Sequence, residues 1–255
     1  MKVIINPQFD GIKDFVYSVP SIFATEGEML YDGARNKLKV FDVQGLSINV
    51  KSYRVPIFIN RIIYTFFRKS KAERSYRYAM HLLSEEVLTP APVAYIEMKQ
   101  GGLLSKSYYI SLHTPMQGNL RILDYENEEM ESSEKCAISA AFGKYTAQLH
   151  KKGILHTDYS PGNILYEKEA DGSYRFSLVD INRMRFGAVP KMMGLRNFSR
   201  LWGDSKVFEE MGKAYAQEMG YDPKECCDEI IKCNTEFFER RDRKRKFWKK
   251  VKFWA

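Results

Sequence analysis

Two stretches constrain this chain more than any others: HTDYSPGN at 156–163 and VDIN at 179–182. The first is made of Asp, Ser, Pro, Gly and Asn, the residues that turn a chain, and it lies between a helical pattern and the short apolar run NILYE. A turn at Asp171-Gly172 then leads into YRFSLVDI, which carries Asp180 near its end. The fold must therefore place a loop bearing Asp158 and Asn163 ahead of a strand hairpin, and a second carboxylate at the far end of that hairpin. Taken singly these are ordinary turn formers. Their order, the five-residue step from Asp158 to Asn163 and the strand–turn–strand setting together mark a site.

The chemistry that asks for this set is phosphoryl transfer, in which the protein positions a nucleotide, neutralises its oxyanions with magnesium and orients an acceptor hydroxyl beside a carboxylate. Asp158 is then the base, Asn163 and Asp180 the magnesium ligands, and His156 a brace for the loop rather than a reacting group. Upstream, Lys51 ends a predicted strand in INVKSY and Glu73 opens the following helix. Their ion pair would hold the ammonium against the nucleotide phosphates. The alternative for Glu73 is a capping box with Ser70, since Ser70-Lys71-Ala72-Glu73 is S-x-x-E, and Lys51 could be a solvated strand residue. A phosphate-covering loop would fall at DGARNK, where Gly33 is the single glycine.

Periodicity outlines an α+β chain in two lobes. MLYDG, KLKVFDV and LSINVKSY alternate apolar and polar residues and turn at Gly33 and Gly45, which predicts an antiparallel meander over 29–52. A helix follows with Ser70 as N-cap and an inner face of Ala72, Tyr76, Ala79, Leu83 and Val87. Two further strands flank Gly101-Gly102. These make an N-lobe over 1–113, an antiparallel sheet with one main helix. A mostly helical C-lobe over 114–239 carries the catalytic and metal-binding loops, with a helix from about 128 to 152. Residues 240–255 form a basic tail.

The formal net charge of +8 sits entirely in that tail, where nine Lys or Arg face one acid, Asp242. Phe247, Trp248, Val251 and Trp254 recur at helical spacings among the cations, the composition of an amphipathic anchor on a membrane surface. The alternatives are a final helix packing its aromatics on the body and, less favoured, nucleic-acid binding; no nucleic-acid partner is expected. Cys136, Cys226, Cys227 and Cys233 lack the spacing of a zinc site or a disulfide framework and read as reduced thiols. With no signal-peptide pattern and no long apolar run, a cytoplasmic protein is expected.

VKSYR, RKSKAERSYRYAMHLL, TPAPVAYIE, LHKKGILHTDYSPGNIL and LVDINRMRF resemble the successive blocks of the lipopolysaccharide core kinases, the Kdo and heptose kinases. The resemblance spans roughly 28–190 and implies a bilobal protein-kinase-like fold that uses ATP and Mg2+. It gives Lys51, Glu73, Asp158, Asn163 and Asp180 the family's nucleotide, base and metal roles and makes Ser111 to His113 the hinge near adenine. The acceptor it implies is a sugar hydroxyl, Kdo above all, on a lipopolysaccharide precursor at the inner membrane of a Gram-negative bacterium. Ile181 and Asn182 stand where protein kinases carry Phe-Gly, which argues against their activation-loop switch. A kinase for another small molecule or for protein, and a pseudokinase binding module, are the rival readings.

Overall fold

The computed structural model describes residues 1–124 and 126–253, with 249–253 described for their backbone alone. The chain forms two compact units, Met1–Pro115 with Asp180–Asn182, and Met116–Val179 with Arg183–Ala255.

The first unit begins with β1 (Lys2–Ile5) and α1 (Lys13–Ile22), continues through β2 (Glu28–Asp32), β3 (Asn36–Val43), β4 (Leu46–Tyr53), α2 (Phe58–Phe66) and α3 (Lys71–Ser84), and closes with β5 (Pro92–Gln100) and β6 (Leu103–Leu112). Its six strands form one antiparallel sheet in the order β1-β5-β6-β4-β3-β2. The predicted meander is β2 to β4. Val16 and Val19 of α1, with Ile12 and Phe23, bury against Phe41, Ile48, Val50, Ile96, Tyr108 and Ile110 of the sheet.

The expectation of one main helix is corrected to three. α1 is not apparent from the sequence because Pro7 and Gly11 precede it closely and Pro20 lies inside it, leaving too short a run to show a period. In α2 the polar positions Asn60, Arg61, Tyr64 and Thr65 do recur at helical spacing, but they lie inside an otherwise apolar stretch from 55 to 67. In α3 the buried positions are Ala72, Glu73, Arg74, Ser75, Ala79 and Leu82, and Val87 is buried just beyond it. Of the predicted inner face Ala72, Ala79 and Val87 are therefore buried, whereas Tyr76 is half-buried and Leu83 exposed, with Ser75 and Leu82 in their places.

The second unit runs through β7 (Gly118–Asn119), α4 (Ser132–Lys151), β8 (Ile154–His156), β9 (Ile164–Lys168), β10 (Tyr174–Leu178), β11 (Met184–Phe186), α5 (Lys191–Asn197), α6 (Ser205–Met219) and α7 (Pro223–Phe253). β9 and β10 form the predicted hairpin, with β7 added to β9, and β8 pairs β11. α4 and α6 cross closely at Gly143, where a Cβ would overlap the Met211 carbonyl. Phe142 of α4 centres an aromatic cluster, 5.4 Å from both Tyr159 and Phe176.

The tail expected to begin at 240 is not a segment of its own, because α7 continues unbroken through Arg240 to Phe253. Its first turns bury Cys226, Cys227, Ile230 and Cys233, whereas Phe247 and Trp248 are exposed. The Val251 side chain and Trp254, also placed on the expected aromatic face, lie outside what is described. All four cysteines are free thiols. Among the described residues no helix is long and apolar enough to cross a membrane.

Candidate active site

In the second unit the turn-forming sequence builds a loop held by its own polar groups. The Asp158 amide donates to Nδ1 of buried His156 (3.1 Å), which fixes the neutral tautomer and leaves Nε2–H to donate to the Val179 carbonyl (3.1 Å). Ser160 and Asn163 donate backbone N–H groups to the carbonyls of Asp158 and Ser160, each at 2.9 Å. The Asn163 side chain donates Nδ2–H to the Asp158 carbonyl (2.8 Å), which leaves Oδ1 as its acceptor atom. His156 thus ties the Asp158 amide to the Val179 carbonyl across the loop.

Asp158 carries two partners that sequence reasoning missed. Arg183 Nη1 lies 3.2 Å from Oδ2, and Arg200 Nη1 donates to Oδ1. Arg200 is further held with its guanidinium 5.4 Å from the Phe237 ring. Two cations against one carboxylate leave this spot net positive, a setting that favours an anionic group on whatever approaches. Arg183 lies in the LVDINRMRF stretch, three residues after Asp180. Nothing in the sequence links Arg200 to Asp158 across 42 positions.

A second missed group sits behind the loop. Asn197 donates Nδ2–H to the His156 carbonyl (3.0 Å) and accepts at Oδ1 from His150 Nε2 (3.2 Å), while Tyr215 Oη donates to His150 Nδ1 (3.0 Å). Gly194 is required beside them, since a Cβ there would overlap Tyr215 Oη. Burial pushes the His150 imidazole down to about 4, opposed by its bond to Asn197, so the ring stays neutral.

In the first unit, Lys51 of β4 meets Asp180, with Nζ 2.6 Å from Oδ1. Asn182, in place of a kinase glycine, donates Nδ2–H to the same oxygen at 2.6 Å. Burial disfavours the Lys51 charge, yet Tyr53 and the Asp180 carboxylate outweigh it and its pKa is raised, so Lys51 remains an ammonium. Asp180 adopts φ 53, a left-handed conformation that costs a non-glycine residue about 1–3 kcal/mol and persists only where surroundings impose it.

The expected Lys51–Glu73 pair is not formed. Glu73 lies in the first turn of α3, where its amide is capped by Ser70 Oγ (3.1 Å) and its carboxylate meets Arg77 (2.8 Å) and Lys2 (3.4 Å). Lys2 comes from β1, a strand the sequence did not announce. Gly33 stands in the tight β2–β3 turn, its N–H bonded to the Asn36 carbonyl (3.1 Å), with Tyr31 packed where a Cβ would go. Ser111 is buried in β6, and the His113 amide donates to the Ser47 carbonyl (2.8 Å) just before the chain leaves the first unit at Pro115.

Residues 22–215 match the model of the lipopolysaccharide kinase (Kdo/WaaP) family. The chain belongs to that family. Membership makes it a kinase-type phosphotransferase of lipopolysaccharide biosynthesis, and its chemistry one that uses ATP. It is similar in fold to a solved structure described as WaaP in complex with acyl carrier protein, with a TM-score of 0.65 at 15% identity, covering 95% of this chain and 99% of the other. No protein of curated function matches the sequence. Among the described residues no group of three or more His, Cys, Asp or Glu side chains could hold a metal by itself.

Proposed function

We propose that the protein transfers the γ-phosphoryl group of ATP to a sugar hydroxyl of a lipopolysaccharide precursor, with Kdo as the acceptor sugar. The hydroxyl oxygen attacks the γ-phosphorus, its proton passes to Asp158, the bond from the γ-phosphorus to the bridging oxygen breaks, and ADP leaves. Lys51 serves the nucleotide phosphates, and the 2.6 Å bond to Asp180 from a strand 129 residues away carries this reading. A scaffold has no use for a part-buried ammonium matched to a strained carboxylate.

Asn163 Oδ1 and the Asp180 carboxylate are oxygen donors of the kind magnesium takes beside phosphates, so these two residues would hold Mg2+, which neutralises phosphate charge when bound. Asn163 fits because its amide nitrogen is committed to the Asp158 carbonyl. The exposed Phe247 and Trp248 on the basic end of α7 support a peripheral position on the cytoplasmic face of the inner membrane, where a lipid-borne acceptor is presented.

Labelled ATP and Kdo-lipid A test the reaction. Incorporation by the parent, lost in Asp158→Asn, is the expected result; no incorporation rejects this acceptor. A thermal shift with Mg-ATP in the parent but not in Asp180→Ala separates a kinase from a binding module, since a ligand stabilises only the state that binds it.

A further inference from the structure

The helix α2 is built inside out. Around its axis Asn60, Arg61, Tyr64 and Thr65 fall on one side, while Phe58, Ile59, Ile62, Ile63 and Phe66 share the other. The polar side faces the protein: Arg61 donates to the carbonyls of Leu104 (2.8 Å) and Gln100 (2.9 Å), and Thr65 Oγ1 accepts from the Leu104 amide (2.9 Å). Beneath it lies a cavity of about 400 Å³ whose lining includes Asn60, Tyr64, Arg54 and Lys71. The apolar side faces out, with Phe58 67%, Phe66 68% and Phe67 82% exposed and Ile57 and Ile59 beside them. No residue of α2 is buried.

A helix in water buries its apolar stripe; this one is pinned by hydrogen bonds in the opposite sense, so its outer face calls for a non-aqueous partner. Charge selects which one. From Val43 to Ala72 there are six Lys or Arg and no acid, and Arg54, Arg68 and Lys69 stand exposed at the two ends of the helix. We propose that α2 is an interfacial helix that docks the first unit on an anionic lipid bilayer, its aromatic side chains entering the headgroup boundary and its flanking cations meeting lipid phosphates.

This inference goes beyond the phosphotransfer reading and is separate from the role given to α7, because vesicle binding is read without turnover and each helix can be altered alone. The full chain is sedimented with phosphatidylethanolamine–phosphatidylglycerol vesicles and with phosphatidylcholine vesicles. The parent is expected to bind the anionic vesicles, with Phe58→Gln plus Phe66→Gln lowering the partition coefficient at least about tenfold. Both side chains are exposed, so the variant should melt as the parent does. Arg68→Glu plus Lys69→Glu should lose binding to the anionic vesicles in the same way. Phe247→Gln plus Trp248→Gln reports on α7. The proposal is overturned if the α2 variants bind as the parent does, including the case in which only the α7 variant fails. It is equally overturned if the parent ignores both vesicles while α2 substitutions abolish a complex with a soluble acidic protein.

Discussion

His150 makes the fold sensitive to acid in a way that can be calculated. The ring is packed by Tyr215 from α6, whose own pKa is raised by burial, and by Asn197 from α5, and neither supplies a negative charge to hold a proton on it. Its pKa falls from the ordinary 6.5 to about 4, so between those values the unfolded chain binds a proton that the native state refuses. Stability from this group is complete above pH 6.5 and is lost as pH falls toward 4. At about 1.4 kcal/mol per pH unit the whole window is worth about 3 kcal/mol. The perturbation is His150→Gln, which cannot titrate. Urea unfolding of both proteins from about pH 7.5 to about pH 4.5 gives the difference in unfolding free energy, in which all other titrating groups cancel. That difference favours the parent at neutral pH and should narrow by about 2–3 kcal/mol at the acid end. A difference that does not change with pH would refute the reasoning. Since Asn197 also holds the His156 carbonyl, loss of kcat in the variant at neutral pH is expected as well.

Arg183→Ala removes one of the two guanidiniums on Asp158. The KM for a Kdo acceptor with a free carboxylate should rise about tenfold, the worth of one exposed charge-assisted bond, while the KM for ATP and that for the methyl ester stay unchanged; equal effects on acid and ester would count against a role in anion recognition. Gly143→Ala sets a helix-propensity gain of about 1 kcal/mol against forcing α4 off the Met211 carbonyl, an overpacking cost of about 1–3 kcal/mol. Net destabilisation is expected by chemical denaturation, and a more stable variant would show that the crossing of α4 and α6 can relax.

Local signals were legible wherever one segment decides its own structure. The meander turns, the Ser70 cap, the β9–β10 hairpin and the loop from His156 to Asn163 each depend on residues within a few positions of one another. Glu73 shows where that stops: its capping role was readable, but its carboxylate answers to Lys2, 71 residues away on a strand whose existence was not apparent. α2 shows the same limit in another form. An apolar run announces a helix face, and only the hydrogen bonds of Arg61 and Thr65 to the β5–β6 hairpin decide that the face turns outward.

By itself the sequence determined the residue types of the site, their order and the turns that display them, because turn chemistry and strand alternation act over a few bonds. Tertiary structure alone decided the ionic partners: Lys51 with Asp180, two arginines on Asp158, and a neutral His150 behind the loop. The physical reason is that charge and burial depend on distance in space. Groups 129 and 42 positions apart become neighbours only after packing has set the low-dielectric surroundings in which their charges count.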